Sequence, residues 1–358
     1  MFSFRTTPIE DQLDKCLNTG KVAVFCTQNC YNVSSGHYLY EIFASRGNLL
    51  TVFSPRDSEL CPETNHIDFD VNLLKDANAV VVEIQDVGTR YFNYTKDVLN
   101  LIVEMSKMDQ APSLYIVDHL NPCGRVIEGT FKAKPDFENI ETFLLHKHGL
   151  TLGEIANLFV SEIGARFPLH VISAIASDST REALPWHIAP SSDMPGLFTF
   201  STYPGCGLFN HTNITPGIGT ARPYEYFGAP YIKNLVNDPL LPSSKGIVMR
   251  PCSFTPMVGL YKNKRCQGYQ IIQTPDAAGY HNLLHVLSLI RYFRQQYPSE
   301  FRLNPEFGAK LGDNVLEDYI YSRTDYRTVV EHLKDCEQKW LRKTRKFLLY
   351  NDNLYRNK

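Results

Sequence analysis

The stretch AVVVEIQDVGTRYFNYT, residues 79–95, decides the fold class of the N-terminal half. Four apolar residues run without a break and lead directly into Glu83, Gln85 and Asp86, and a glycine, an arginine and aromatic residues follow. A short apolar run of this kind is typical of a strand buried in a parallel sheet. Ligand sites of α/β folds lie just beyond the carboxyl ends of such strands. Residues 83–90 are therefore site candidates, although strand ends are also polar wherever a chain leaves the core.

Strand and helix patterns alternate on both sides of this stretch. Apolar runs predict strands over residues 21–27, 48–55, 77–84, 113–120 and 168–176. Helical spacing predicts helices over residues 36–47, 93–108 and 150–165. Such alternation indicates βαβ units and a parallel sheet. Thr151 and Glu154 have the T-x-x-E spacing of a helix capping box, which gives Glu154 a structural role.

The second half has a different texture. Residues 185–230 are rich in proline, glycine and aromatic residues, which predicts little regular structure and a functional loop or a domain connection. Short strands follow at 246–254 and 268–275, and helices at 280–296 and 326–350. The sequence thus predicts an α/β fold in which residues 1–197 form a Rossmann-like parallel-sheet domain. Residues 198–358 would form a smaller α+β domain.

Composition narrows the class of partner. The chain is 43% hydrophobic and 21% charged with a formal net charge of −2, so it lacks the positive charge of a nucleic-acid or anionic-membrane binder. No apolar stretch approaches the length of a membrane span. The N-terminus has no apolar signal-peptide core, which predicts a cytoplasmic protein. A periplasmic or extracellular location would apply if the natural chain begins earlier.

Cofactor and metal motifs are absent from the sequence. The glycine pairs in GCGLFN (205–210) and GIGT (217–220) lack the G-x-G-x-x-G spacing of a dinucleotide site. The 9 cysteines are scattered without a C-x-x-C pair or a zinc-like Cys/His spacing. The two histidines of HKHG (146–149) have no third ligand marked nearby. We therefore expect no cofactor and no metal.

Polar side chains follow the predicted strands or lie in the long loop. They are Arg56, Asp57, Glu59, Glu83, Gln85, Asp86, Arg90, Asp118, Asn121, His148, Ser191, Ser192, Asp193, Asn213 and Thr220. Carboxylates accompanied by amides and aromatic platforms suit glycoside hydrolysis. They suit simple sugar binding equally well, because sequence spacing does not give the separation of two carboxylates.

A series of motifs points to a known family. They are IQDVGTRYFNY (84–94), DHLNPCGRVIEG (118–129), HGLTLGE (148–154), LPWHIAPSSDMP (184–195) and YPGCGLFNHTNITPGIGTARPYEYFGAPYI (203–232). With these motifs the chain resembles the NamZ-like exo-β-N-acetylmuramidases, glycoside hydrolase family 171. Members remove terminal N-acetylmuramic acid from the non-reducing end of peptidoglycan fragments. The resemblance implies a Rossmann-like domain, a smaller C-terminal domain and an active cleft between them.

The resemblance also selects residues for that cleft. Glu83, Asp86 and Asp57 become the candidate catalytic residues. The candidate substrate-binding residues are Arg56, Arg90, Tyr91, Tyr94, Asp118, Asn121, His148, Ser192, Asp193, Tyr203, Asn213 and Thr220. We expect Asp86, Asp118, His148 and Asp193 to converge on one cleft, because each follows a strand or precedes a helix.

The chain departs from the family pattern inside these motifs. Where the family typically reads Pro-Glu-His-Gly, this chain has Pro55, Arg56, Asp57 and Ser58, and a guanidinium does not exchange a proton at neutral pH. The arginine of the family's G-R-G-T is Ile218. We expect a divergent exo-acting glycosidase homologue that handles N-acetylmuramic acid or a related amino sugar, in a small glycan or muropeptide. The alternative is a non-catalytic glycan-binding paralogue, so enzymatic activity stays open.

Overall fold

The computed structural model of the protein divides into two compact units. It describes residues 9, 12–13, 20–33, 35–56, 58–60, 65–66, 71–174, 188–233 and 238–350. Unit 1 comprises Met1–Arg125, Gly149–Ser192 and Lys343–Lys358, and unit 2 comprises Val126–His148 and Asp193–Arg342. Each unit therefore takes residues from separate stretches of chain. The domain boundary expected between residues 197 and 198 stays a prediction.

Unit 1 is built on a six-stranded sheet in the order β3-β2-β1-β4-β5-β6, and every neighbouring pair is parallel. The strands are β1 (Val22–Cys26), β2 (Leu49–Ser54), β3 (Asn65–His66), β4 (Ala79–Glu83), β5 (Ser113–Asp118) and β6 (Leu169–Ser173). The predicted α/β class is confirmed. The two-residue edge strand β3 was not predicted, because it is too short to leave an apolar pattern.

Three helices connect strands of this sheet: α1 (Leu39–Ser45), α2 (Asn93–Ser106) and α3 (Leu152–Ile163). Every residue of β1 and β4 is buried, as expected for central strands of a parallel sheet. The predicted capping box starts α3, where the Thr151 hydroxyl accepts the Glu154 amide and the Thr151 amide donates to the Glu154 carboxylate. Gly164 ends α3 in the left-handed conformation, with φ of 66°.

Unit 2 combines a three-stranded antiparallel sheet, in the order β7-β9-β8, with helices. The elements are α4 (Leu197–Cys206), β7 (Tyr226–Ala229), β8 (Ile247–Phe254), β9 (Cys266–Gln273), α5 (Asn282–Gln296), α6 (Phe307–Leu311), α7 (Asn314–Ile320) and α8 (Tyr326–Thr344). The predicted strands at 246–254 and 268–275 and both long helices are present. The α+β architecture of this half is confirmed.

Helix α4 is a difference from the sequence analysis, which predicted little regular structure over residues 185–230. It forms although it contains Pro204. Phe200 and Cys206 are buried, and a Cβ atom on Gly205 would lie only 2.4 Å from Oδ1 of Asn282 in α5. Close packing of two helices therefore outweighs a low intrinsic helix propensity. Among the described residues, no helix is both long and apolar enough to cross a bilayer.

Candidate functional site

The carboxyl edge of the parallel sheet brings together side chains that are far apart in the sequence. In the register of the central strands, Cys26 of β1 lies beside Glu83 of β4, and Glu83 lies beside Val117 of β5. The strands β1, β4 and β5 therefore end at the same level of the sheet. Polar residues that end these strands, or directly follow them, must share one small region.

Glu83 and His119 are in contact at this edge. Oε1 of Glu83 lies 3.4 Å from Nε2 of His119. Glu83 is 6% exposed, and its carboxylate receives no hydrogen bond from the part of the chain that the structure describes. Nε2 of His119 is buried and likewise makes no hydrogen bond with a described residue. The two side chains are thus in contact, and neither is engaged in a hydrogen bond with a described residue.

Asp86 is engaged in local structure. Its Oδ1 accepts a 2.6 Å hydrogen bond from the Thr95 hydroxyl, and its Oδ2 accepts a 3.0 Å hydrogen bond from the Gly88 amide. Gly88 has φ of +82°, and a Cβ atom there would lie 2.4 Å from Oδ1 of Asn121. The carboxylate therefore fixes the tight turn that leads from β4 to α2. Its catalytic role stays a prediction.

Asp118, the last residue of β5, ties α3 to the sheet. The carboxylate accepts hydrogen bonds from the Thr151 hydroxyl (2.7 Å), the Gly153 amide (2.7 Å) and the Tyr350 hydroxyl (2.8 Å). Burial raises the pKa of Asp118 to about 6, and these hydrogen bonds offset part of the effect. The Asp118 carboxylate thus lies at the N-terminus of α3, a position where the helix dipole favours a negative charge.

The other predicted residues of unit 1 have varied surroundings. Arg90 is 2% exposed, with its guanidinium carbon 5.9 Å from the ring centre of Tyr91. The hydroxyl of Tyr94 donates to the carbonyl of Pro190 at 2.9 Å. Asn121 shapes its own turn by donating to the Leu150 carbonyl and accepting the Cys123 amide. Arg56 and Ser192 are exposed, and Asp57 lies outside the described residues.

Gln28 was missed by the sequence analysis. Its amide nitrogen donates to the carbonyls of Pro190 (2.6 Å) and Ala189 (3.1 Å). Its amide oxygen accepts from the Ser58 hydroxyl (2.8 Å) and the Glu59 amide (3.2 Å). One side chain thus joins the segments that follow β1 and β2 to the LPWHIAPSSDMP motif. Its position directly after the first predicted strand is the sequence signal that could have identified Gln28 as a residue of this sheet edge.

In unit 2, the predicted residues are largely engaged in the interior. His148 is fully buried, and its carbonyl accepts the Trp340 indole at 2.8 Å. Tyr203 packs edge-on against Tyr224, with ring centres 4.6 Å apart. Burial raises the pKa of Tyr224, and the charge of half-buried Asp193 adds to that effect. Asp193 is therefore close enough to this aromatic pair to influence it electrostatically.

Asn213 and Thr220 hold loops in place. The Asn213 amide group donates to the Glu300 carbonyl at 2.7 Å and accepts the Arg302 amide at 2.8 Å. The Thr220 hydroxyl donates to the Gly217 carbonyl at 2.6 Å, which closes a turn. Beside this turn lies an open pocket of about 370 Å³. It is lined by Phe209, Asn210, Thr212, Ile214, Thr215, Pro216, Ile218, Gly259 and Leu260.

The four residues that were expected to converge on one cleft belong to two different units. Asp86 and Asp118 both belong to unit 1, at the carboxyl edge of its sheet, whereas His148 and Asp193 belong to unit 2. Their meeting in one cleft stays a prediction.

One group of side chains has the composition of a metal site. Cys30, Glu83 and His119 each offer a ligand atom, and the three atoms lie within 4.8 Å of one another. The three residues follow or end three different strands, so no short spacing motif connects them in the sequence. The cysteine and the histidine were therefore not selected as site residues, although His119 directly follows a predicted strand.

Comparisons with known proteins give the chain its family. The N-terminal model of exo-beta-N-acetylmuramidase NamZ matches residues 64–197, and the C-terminal model matches residues 201–350. The peptidoglycan beta-N-acetylmuramidase NamZ of Bacillus subtilis (strain 168) is 30% identical over 291 residues, which cover 78% of this chain and 69% of that protein.

Solved structures share the fold. Two DUF1343 family proteins from Bacteroides fragilis NCTC 9343 superpose with TM-scores of 0.77 and 0.79, at 21% and 19% identity. Each comparison covers 96% of this chain and 97% of the other. Together with matches to both halves of the family model, the identity to the Bacillus subtilis protein shows that this chain belongs to the NamZ family of exo-β-N-acetylmuramidases.

Proposed function

We propose that this protein is an exo-acting glycosidase that removes N-acetylmuramic acid, or a related amino sugar, from the end of peptidoglycan fragments. Two observations support the proposal: the family match extends over both halves of the chain, and the Bacillus subtilis relative is a peptidoglycan β-N-acetylmuramidase. A small glycan or a muropeptide would be the partner.

The contact between Glu83 and His119 carries the chemical part of the proposal. Glycoside hydrolysis needs a proton donor at the leaving oxygen and a second group that acts as base or nucleophile. Carboxyl and imidazole groups are the side chains that enzymes use most often for proton transfer. Of the carboxylates discussed at this sheet edge, those of Asp86 and Asp118 are occupied by hydrogen bonds from the protein. The Glu83 carboxylate lies 3.4 Å from the His119 ring and accepts no hydrogen bond from a described residue.

Arg56 supports a second candidate function. The family resemblance predicts a glutamate in its place, and the exposed guanidinium of Arg56 does not transfer a proton at neutral pH. If Glu83 and His119 do not replace that acid, the protein is a glycan-binding paralogue without hydrolytic activity. We therefore expect turnover below that of a family member with glutamate in this place.

Hydrolysis of a chromogenic β-N-acetylmuraminide, with the β-N-acetylglucosaminide alongside, tests the proposal. Glu83→Gln should lower the rate by roughly two to four orders of magnitude, the usual cost of losing an acid or base. Glu162→Gln is the matched control, because Glu162 is an exposed glutamate of α3 in the same unit. The double variant Arg56→Glu, Asp57→His should raise the rate. Wild-type protein that binds either sugar but hydrolyses neither would favour the paralogue.

A further inference from the structure

Three potential metal ligands lie at the ends of three adjacent strands. Cys30 closes the short helical turn Gln28–Cys30 after β1, Glu83 ends β4, and His119 directly follows β5. Since β1, β4 and β5 are neighbours in the sheet, the rigid core of unit 1 supports all three residues. A site built on strand ends is positioned more precisely than one built on long loops.

The distances suit a small tetrahedral ion. The three ligand atoms lie within 4.8 Å of one another, and Oε1 of Glu83 is 3.4 Å from Nε2 of His119. Zinc bonds of 2.0–2.1 Å to nitrogen and oxygen place two such ligand atoms roughly 3.3 Å apart in a tetrahedron. The carboxylate and the imidazole are therefore already at the separation that a shared zinc ion requires. The thiol lies within 4.8 Å of both, so it needs to move by at most about 1.3 Å to reach the roughly 3.5 Å separation of a tetrahedral zinc–sulfur site.

The protein's own contacts leave these ligand atoms incompletely satisfied. Nε2 of His119 is buried without a hydrogen bond to any described residue, although nearly all buried polar atoms in proteins have a partner. The Cys30 thiol donates to the carbonyl of Glu83 at 2.8 Å, which holds the sulfur beside the glutamate. The Thr27 hydroxyl lies 3.4 Å from the sulfur but donates to Oδ1 of Asn29 at 2.6 Å, so it would have to turn to donate to a bound thiolate.

The donor set indicates which ion would bind. A thiolate, an imidazole and a carboxylate together suit Zn²⁺, whereas Mg²⁺ and Ca²⁺ take oxygen ligands. Three protein ligands leave a fourth position. The His119 side chain is 25% exposed while that of Glu83 is 8% exposed, and Nε2 of His119 is buried, so a water ligand would enter past the exposed part of the imidazole ring. Sites with three protein ligands and one water are the kind that zinc enzymes use.

We propose that Cys30, Glu83 and His119 form a binding site for one Zn²⁺ ion whose fourth ligand is water. Binding replaces the proton of the Cys30 thiol by the metal, so one proton is released for each ion bound at that sulfur. Metal binding can be measured in protein that has no activity, so this proposal is tested separately from hydrolysis. A bound ion would occupy the same Glu83 and His119 groups to which the proposed hydrolysis assigns proton transfer, so hydrolysis by that pair requires the metal-free protein.

The test uses the full chain after treatment with a chelator. Titration calorimetry with Zn²⁺ should show one site. Co²⁺ as a probe should produce the near-ultraviolet absorption of a thiolate–cobalt bond. Cys30→Ser should abolish that absorption. Cys30→Ser and Glu83→Gln should each weaken Zn²⁺ binding by at least about tenfold, because losing a residue that only orients a metal ligand already costs about that much affinity. Circular dichroism and the melting temperature verify that each variant is folded.

Two other cysteines provide controls. Cys123→Ser removes a thiol of the same unit that donates to the Val87 carbonyl, and it should leave binding unchanged. Cys336 lies 3.9 Å from Nε2 of His332, which contacts Asp313, so it is the competing place for an ion. Loss of binding in Cys336→Ser but not in Cys30→Ser would overturn the assignment. Wild-type protein that takes up no Zn²⁺ at micromolar concentrations would overturn it as well.

Discussion

The hydroxyl of Tyr350 donates a 2.8 Å hydrogen bond to Oδ2 of Asp118, a residue 232 positions earlier in the chain. The neighbouring amide of Leu349 donates to the Glu154 carboxylate at 2.9 Å. Both acceptors belong to the junction between β5 and α3. The segment LLY at 348–350 therefore packs at the carboxyl edge of the sheet in unit 1.

Tyr350→Phe should destabilise unit 1 by about 1–2 kcal/mol, because Asp118 loses one of its donors while it stays buried. The free energy of unfolding in urea measures the effect. Tyr326→Phe is the control, since Tyr326 is 55% exposed. Equal stability of the two variants would contradict the structural role of the hydrogen bond.

The pH dependence of stability should report the Asp118 carboxyl. Its pKa in the folded protein is about 6, above its ordinary value of 3.8, so folding favours the protonated form. This contribution is complete below about pH 4 and is lost as the pH rises through 6. The stability advantage of wild type over Asp118→Asn should therefore shrink between pH 4 and 7, by on the order of 3 kcal/mol. A difference that stays constant over this range would contradict the assignment.

The buried pair of Arg125 and Glu154 should be sensitive to the loss of one partner. The guanidinium contacts both carboxylate oxygens, and the side chains are 5% and 0% exposed. Arg125→Met leaves a buried carboxylate without its counter-charge, which typically costs about 3–5 kcal/mol. Adding Glu154→Gln should restore part of the stability, because the uncompensated charge is gone. Strictly additive losses in urea unfolding would show that the two side chains are not coupled.

In unit 2, His281 lies between two carboxylates. Its Nδ1 is 3.3 Å from Glu128, and its Nε2 is 2.9 Å from Glu337. Burial alone would lower the pKa of His281, but the charge of Glu128 and hydrogen bonds to both carboxylates outweigh it and raise the pKa to about 9. The Leu284 amide also lies 3.2 Å from Nδ1. A protonated Nδ1 has no lone pair and does not accept a hydrogen bond from that amide. In the protonated ring, the contacts with the two carboxylates therefore replace this hydrogen bond.

Stability should therefore decrease at alkaline pH through this ring. A raised pKa means that the contribution is complete below the ordinary value of 6.5 and is lost as the pH rises through about 9. Wild type should lose about 2 kcal/mol over this window, after allowance for a side chain that is partly exposed. His281→Gln should not show this loss, whereas the exposed His170→Gln should keep it. Thermal melts between pH 6 and 10 measure the effect. The same pH dependence of stability in wild type and His281→Gln would contradict the assignment.

Sugar preference should depend on the lack of a positive charge at Ile218 and on the negative charge of Asp193. Ile218 lines the pocket of unit 2, and the family resemblance predicts an arginine in its place. Asp193 contributes a negative charge. Titration calorimetry should show N-acetylglucosamine binding more tightly than N-acetylmuramic acid, because a carboxylate repels the lactyl group. Ile218→Arg should shift the ratio toward N-acetylmuramic acid by roughly tenfold, the value of one charge-assisted hydrogen bond. Tighter binding of the muramic acid by wild type would overturn this preference.

The sequence predicted the sheet of unit 1 because continuous apolar runs and helical spacing are local signals. It missed α4, since the packing of Gly205 against Asn282 is a tertiary fact that overrides the presence of Pro204. At the site, strand ends identified Glu83 and Asp118 correctly as residues of the sheet edge. The sequence did not distinguish the carboxylate that is occupied by Thr151 and Tyr350 from the one that contacts His119. Which polar atoms are already satisfied depends on chain segments hundreds of residues away.

The return of residues 343–350 to unit 1 has a consequence for biosynthesis. Domains usually fold in the order in which they leave the ribosome. Here the stretch 193–342 emerges before the segment that supplies the hydroxyl for Asp118 and the amide for Glu154. The unit that begins first is therefore completed last. Until translation has passed Tyr350, a nascent chain lacks the donors that Asp118 and Glu154 have in the complete unit.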